Sequence, residues 1–136
     1  METVGFPLVA GPAVDRATTP SASDLEPILG TWRNAAEGGT GVAWLVLAFR
    51  DGSLVVRAHG AGGPAHGDWG EVEATAHHAG PTASGATAFS AVYDLGSVTS
   101  ILAGYAEHGL LVLDALNSFP DRNGRPSYFT REYFHH

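Results

Sequence analysis

Asp114 lies within an unusually apolar run, residues 110–116, and is its only titratable residue. Burial of a carboxyl group raises its pKa or requires a partner, and a neighbouring tyrosine hydroxyl can then take part in proton transfer. Tyr105 offers such a hydroxyl a few residues earlier. We therefore take Asp114 and Tyr105 as candidates for general acid–base catalysis. The alternative is that Asp114 faces solvent while Leu113 and Ala115 face inward, and a run that is apolar on both faces leaves both arrangements open.

A second group of residues combines aromatic or polar surface with positions suited to ligand binding. The glycine-rich loop that ends at Trp69 is the most unusual stretch. One interpretation makes it a lid, with Trp69 stacking on a ligand and His66 supplying a polar contact. The other makes it a plain connection, with Trp69 covering the core. The candidate ligand-binding residues are Trp44, His59, His66, Trp69, Phe89, Tyr93 and Tyr128.

The seven histidines do not form a metal-binding motif. His77 and His78 are adjacent, so on a regular strand their side chains point to opposite faces. No His-x-His or His-x3-His spacing occurs, and thiolate sites are excluded because the chain has no cysteine. The terminal pair His135-His136 is typical of a flexible tail. We expect neither a metal site nor a cofactor.

Strands must position these side chains, because helical periodicity is confined to one short segment. From Gly30 onward, strand-like runs recur at spacings of about 8–14 residues. The most distinct turn between them is Asp51-Gly52, a strong hairpin signal. The eight predicted strands cover 30–34, 41–50, 53–60, 70–78, 86–94, 97–106, 110–119 and 125–134. This pattern predicts an all-β fold, an eight-stranded antiparallel up-and-down barrel, with an open sandwich as the alternative.

A chain of 136 residues fits one domain preceded by a short arm. Residues 1–22 are rich in Pro, Ala, Gly and Thr without periodicity, and we assign them to an N-terminal arm. Residues 23–136 form the barrel domain. A helical turn is predicted over 24–29, with Ser23 or Asp24 as its N-cap and Pro27 keeping it short.

The helical turn, the Gly30-Thr31-Trp32 sequence that follows it and Arg131 near the chain's end together resemble the calycins. This group includes the lipocalins, the avidins and the fatty-acid-binding proteins. The lipocalin resemblance implies that Arg131, on the last strand, packs across the ring of Trp32 and closes one end of the barrel. A guanidinium over an indole face is also favourable on physical grounds. The resemblance covers residues 24–134. Unlike most lipocalins, the chain has no residues left for a helix after the last strand, and it lacks the disulfides of many secreted members.

Charge and hydropathy limit the partners. The net charge is −7 and the chain contains no lysine, so a nucleic acid or an anionic membrane is not an expected partner. The longest apolar run, 42–49, is far shorter than the roughly 20 residues of a membrane helix. The N-terminus does not resemble a signal peptide, and we expect a cytoplasmic protein. Strands that are apolar on both faces predict that the outside of the barrel is covered, by the N-terminal arm or by a second copy in a homodimer.

Three functions fit such a container. The first is a cofactor-free cyclase or isomerase of bacterial secondary metabolism that encloses a small, mostly apolar molecule. Small bacterial barrels similar to calycins include such enzymes. The Ala/Gly-rich, lysine-free composition also resembles that of proteins from a high-GC bacterial source. The second is a non-catalytic carrier or sensor of a small hydrophobic ligand. The third is a structural barrel filled by its own side chains, which an interior volume of roughly 300 Å³ or more would exclude.

Overall fold

The part of the chain that the structure describes contains one short helix and nine antiparallel strands. The computed structural model describes residues 21–37, 41–62, 66–81, 85–120 and 124–136, so most of the predicted arm at 1–22 lies outside the described residues. The elements are α1 (Ala22–Leu25), β1 (Gly30–Asn34), β2 (Val42–Arg50), β3 (Ser53–Gly60), β4 (Gly67–Glu73), β5 (Thr75–His78), β6 (Ala86–Asp94), β7 (Thr99–Glu107), β8 (Leu110–Ser118) and β9 (Tyr128–His135).

The strands form one sheet that runs up and down. Its order is β4-β3-β2-β1-β9-β8-β7-β6-β5, and every neighbouring pair is antiparallel. Two tight hairpins have positive φ at both central residues, Asp51-Gly52 and His108-Gly109, which is the backbone twist that suits a two-residue hairpin. The predicted all-β, up-and-down, antiparallel class is therefore confirmed. This barrel-like fold is compatible with a calycin.

The predicted strand 70–78 is divided into two in the structure. β4 pairs with β3, whereas β5 pairs with β6 at the opposite edge of the sheet. Only Ala74 separates β4 from β5, and its amide still donates to the carbonyl of Leu54. The chain thus exchanges one pairing partner for another at a single residue. The count of eight strands is wrong for this reason, although the inward–outward alternation continues through Ala74.

The sheet is curled but its two edges are not joined by a ladder of backbone hydrogen bonds, so the prediction of a closed barrel is only partly met. Instead, Tyr93 on β6 reaches across the interior towards β3 and β4. Its hydroxyl lies 3.0 Å from the carbonyl oxygen of Val56 and 2.8 Å from that of Gly70, and it accepts from the amide of Ala58 at 3.2 Å. The Tyr93 hydroxyl therefore links β6, the strand next to one edge of the sheet, to β3 and to the opposite edge strand β4.

The helix α1 covers one end of the curled sheet. Ser21 is its N-cap, and the Asp24 carboxylate and the Ser21 backbone complete a capping box. This places the helix two residues earlier than the predicted 24–29. Leu25 and Ile28 are fully buried and join the core, so this end of the interior is filled by apolar side chains.

The interior between this end and the middle of the sheet is tightly packed, and we call it the packed interior. Phe89 lies against Gly104, where an added Cβ would come within 2.5 Å of the Phe89 ring. Leu102 and Leu113 are also fully buried around it. The glycine is therefore a steric requirement of the core, because its missing side chain leaves the volume that the ring of Phe89 occupies.

Candidate functional site

The end of the sheet opposite α1 contains a cavity, which we call the open end. It is bordered by the start of β2, the turn between β6 and β7, and the facing ends of β8 and β9. Its volume is about 40 Å³. Its lining residues are Gly41, Val42, Trp69, Leu95, Val98, Ala115, Asn117, Phe119, Tyr128, Thr130 and Glu132.

Most of this lining is apolar or aromatic, with polar groups confined to β8 and β9. The Trp69 ring meets the Tyr93 ring edge-on at a centroid distance of 5.2 Å, which fixes one wall against the packed interior. Phe119 and Tyr128 stack at 5.9 Å and form the rim. A mostly apolar cleft with a few convergent polar groups is the usual form of a small-molecule site.

Glu132 places a carboxylate among these apolar walls. It shares the inward face of β9 with Thr130 and the buried Phe134. Its Oε2 accepts a hydrogen bond from Nδ2 of Asn34 at 3.0 Å, and the same amide nitrogen donates to the carbonyl of Val42 at 2.9 Å. Gly41 makes room for the group, because a Cβ at that position would collide with Oε1 of Glu132. The carboxylate is thus held in a fixed position by its neighbours.

A row of inward-facing polar groups lies beside the open end. In the strand register, Tyr93 pairs with Ser100, Ser100 with Asn117 and Asn117 with Tyr128. Ser100 is buried, and within the described part of the chain its hydroxyl has no hydrogen-bond partner. A buried hydroxyl without a partner costs folding free energy, and in native proteins such groups are rare.

Two of the predicted ligand-binding residues, Trp69 and Tyr128, line the open end. Two others, Phe89 and Tyr93, are buried in the packed interior, where the Tyr93 hydroxyl is already hydrogen-bonded and its burial raises the pKa to about 12. His66 is exposed just before β4, and the loop residues 63–65 that precede it lie outside the described residues.

The remaining predicted ligand contacts lie on the outer surface. Trp44 on β2 and His59 on β3 stack face to face, with ring centroids 5.1 Å apart. Beside them Arg57 is paired with Asp68, and this contact lowers the pKa of Asp68 to about 2. Trp44 and His59 therefore border a shallow outer groove, and the structure does not bring them together with Trp69 or Tyr128.

The predicted acid–base pair also lies on the outside. On β8 the residues Leu113 and Ala115 face inward, so Asp114 faces outward, which is the second of the two arrangements that the sequence left open. Tyr105 is exposed on the outer face of β7. Asp114 forms a two-pronged ion pair with Arg131, with Nε to Oδ1 at 2.7 Å and Nη2 to Oδ2 at 2.9 Å. The Arg131 guanidinium holds the pKa of Asp114 below its usual value.

The expected contact between Trp32 and Arg131 is not formed. Trp32 is buried as predicted and donates from Nε1 to the carbonyl of Ile28 at 2.9 Å. The group on its ring is His136, at a centroid distance of 3.7 Å, and not an arginine. Arg131 points to the opposite face because it is one residue away from the inward positions Thr130 and Glu132, and a shift of one residue reverses the face of a strand side chain. His136 is likewise packed, and not a free tail.

Sequence reasoning did not single out Glu132 and Asn117, which line the open end, or Ser100, which is buried beside it. The signal for Glu132 was the alternation of 130, 132 and 134, which leads to the same face as Phe134. It was obscured because residues 128–134 contain large side chains on both faces.

No family profile, curated protein or solved structure matches this chain. The geometry of the open end is therefore the main indication of function. Across the described residues, no three His, Asp or Glu side chains converge as a metal site would require. The same residues include no helix with the length and hydropathy needed to cross a membrane.

Proposed function

We propose that this chain binds a small, mostly apolar molecule at the open end, with a hydrogen-bond donor or cationic group directed at Glu132. The observation that carries this proposal is a positioned carboxylate in an apolar, aromatic cleft. Since hydrogen bonds to a charged group are stronger than neutral ones, Glu132 supplies the polar contact that orients the ligand. We also infer that the barrel-like sheet is a calycin-like container.

The charge of the lining selects the ligand class. None of the described residues that line the cavity is basic, and Glu132 is acidic. An anionic group at Glu132, such as a fatty-acid carboxylate, would be repelled by its charge. The guanidinium of Arg125 lies outside this lining, 4.2 Å from the ring centroid of Phe119 at the rim. We therefore propose an amine or another donor-bearing molecule as the ligand class.

The volume of the cavity limits how much of the ligand enters. About 40 Å³ is room for roughly three water molecules. A small head group fits into this space while the remaining apolar part lies between Trp69, Phe119 and Tyr128 at the rim. This is far below the roughly 300 Å³ of a typical enclosed ligand pocket. Enclosure of a whole polyketide-sized molecule would require the rim to move.

A matched pair of ligands tests this function. Binding of 2-phenylethylamine and of 3-phenylpropionate is measured by NMR titration, since the two differ mainly in the sign of their charge. We expect the amine to bind and to shift the indole signal of Trp69, and the carboxylate to bind at least tenfold more weakly. Glu132→Gln removes the difference, whereas Glu71→Gln, on the outer face of β4, leaves it unchanged. Equal or tighter binding of the carboxylate would refute the proposal, and failure of both ligands to bind favours a barrel filled by its own side chains.

A cofactor-free cyclase or isomerase is a second proposal, and Glu132 is the observation that favours it. A carboxylate among apolar walls can act as a general base, worth roughly 10²–10⁴-fold in rate. Asp114 and Tyr105 do not line this cleft, so Glu132 replaces them in the proposed chemistry. Turnover of a candidate substrate that Glu132→Gln abolishes and Asp114→Asn leaves unchanged supports the enzyme; unchanged turnover in Glu132→Gln would exclude it.

A further inference from the structure

The outer surface of β6–β9 exposes large apolar side chains in an ordered row. The register aligns Val92 with Ile101, Ile101 with Leu116 and Leu116 with Phe129, one residue from each strand. Their exposed fractions lie between 43% and 59%. We call this surface, together with the residues between and beside this row, the apolar outer face.

A second row runs parallel to the first. It aligns Tyr105, Val112 and Tyr133, and both tyrosines are about half exposed. All the large hydrophobic side chains that are exposed in the described residues lie on β6–β9, and nearly all of them face outward here. Together they present roughly 600 Å² of apolar surface, at the upper limit of what a monomeric protein usually exposes.

The row between these two contains the only charged groups at the centre of the face. The register aligns Ala103, Asp114 and Arg131, and the two charged side chains are paired with each other. The guanidinium also lies 5.7 Å from the ring of Phe129. The centre of the face is therefore electrically neutral in a chain whose net charge is −7, and Asp94 and Glu107 lie at its two ends. Two such chains repel one another, and a neutral centre adds no repulsion of its own.

We propose that the apolar outer face is the interface of a homodimer, with a second copy of this chain as its occupant. The arrangement of charge favours a second copy over another partner. A central pair of opposite charges is complementary to itself after a two-fold rotation, because Asp114 of each chain then meets Arg131 of the other. Isologous interfaces have this reciprocal form. The apolar rows on either side pack sheet against sheet, and the area approaches the roughly 800 Å² per partner of a standard interface.

The primary test is the mass in solution of the full chain. Sedimentation equilibrium over a micromolar to submillimolar range should give a mass of twice 14.1 kDa. Leu116→Glu, in the first apolar row, should reduce it to that of the single chain. The matched control is Val46→Glu on the outer face of β2, where the new carboxylate lies opposite Arg57 and the dimer should persist. Thermal unfolding of each variant establishes that it is folded.

A charge-exchange experiment tests the two-fold arrangement itself and does not depend on loss of association. Asp114→Arg places two positive charges at the centre of the face, and Arg131→Asp places two negative ones there. Each variant alone should be monomeric because its interface repels itself. An equimolar mixture should form a heterodimer, since every charge then meets an opposite charge across the axis. No heterodimer would form on mixing if Asp114 and Arg131 interacted only within one chain.

Three results would overturn the proposal. A monomeric wild-type chain at submillimolar concentration excludes the homodimer and leaves this face to the N-terminal arm or to a different protein. A dimer that survives Leu116→Glu but not Val46→Glu places the interface on the opposite side. Mixed charge variants that stay monomeric exclude the reciprocal Asp114–Arg131 contact. None of these results depends on the ligand proposed for the open end, since every substituted residue lies on the outer surface.

Discussion

In the packed interior, Phe89 fills the space left by Gly104, whereas beside the open end Ser100 keeps a buried hydroxyl without a described partner. Both regions are buried by the same sheet, and both could be filled with apolar side chains. Only the region around Phe89 and Gly104 is filled in this way. The second retains a carboxylate, an amide and a hydroxyl, and the hydroxyl of Ser100 has no partner among the described residues to offset its desolvation. If the open end binds a ligand as we propose, the difference separates residues that stabilise the fold from residues that serve binding.

The largest effect is expected in the packed interior. Gly104→Ala introduces a methyl group 2.5 Å from Cε1 of Phe89 and 3.3 Å from Cδ1 of Leu113. Because Phe89 is fully buried and cannot move aside, we expect a loss of about 2–3 kcal/mol in the free energy of unfolding. The matched control is Gly80→Ala, whose added Cβ meets no atom within 4 Å. Chemical denaturation measures both; a loss below that of the control would mean that this region is not tightly packed.

A smaller loss is expected for Tyr93→Phe, which removes the hydroxyl that links β6 to β3 and β4. The amide of Ala58 loses its partner, and we expect a cost of about 1–2 kcal/mol. The pKa of Tyr93 is raised from 10.0 to about 12. Its contribution to stability is therefore complete below pH 10 and is lost as the pH rises from 10 towards 12.

The loss of stability at alkaline pH distinguishes the wild type from Tyr93→Phe. Wild-type stability should fall more steeply between pH 10 and 12 than that of Tyr93→Phe, measured by denaturation at a series of pH values. Tyr128→Phe is the matched control for loss of a hydroxyl, because this half-exposed tyrosine lies outside the packed interior and the apolar outer face and its loss leaves the link from β6 to β3 and β4 in place. Identical slopes in wild type and Tyr93→Phe would show that the hydroxyl is solvated.

The smallest effect, and one of opposite sign, is expected beside the open end. Ser100→Ala removes the unpartnered hydroxyl, so the free energy of unfolding should be unchanged or higher by up to about 1 kcal/mol. Binding of the amine should weaken in the same variant, which is the usual opposition between stability and function. Ser118→Ala, at an exposed serine on the outer face of the neighbouring strand β8, controls for the substitution. A loss of stability in Ser100→Ala would remove the distinction between the two regions.

The sequence predicts the strands well because turns are local. Asp51-Gly52 and His108-Gly109 carry the positive φ angles of their hairpins in their residue types, and the strand bounds follow from them. The division at Ala74 left no signal, because the chain changes its pairing partner there without changing its alternation. Partners on distant strands are set by the register of the whole sheet and not by the nearby sequence.

The site was harder to predict than the fold for a related reason. Where one face of a strand is polar, alternation fixes which side chains point inward, as in β4. Where both faces are apolar, as in β8 and β9, it does not. The orientation of Asp114 therefore stayed open, and Glu132 was not singled out as a candidate. If the outer face of these strands is an interface, its apolar side chains explain both observations. They hide which face of each strand points inward, and they provide the surface to which a second chain binds.

The position of β1 next to β9 has a consequence for how the chain folds. Every other pair in the sheet joins strands that are neighbours in sequence, and these can form early as local hairpins. The contact between β1 and β9 joins residues such as Thr31 and His136, which are 105 positions apart. Closing such a long loop costs more chain entropy than any hairpin does. We therefore expect Trp32 to become buried last, and its fluorescence to report the slowest step of refolding.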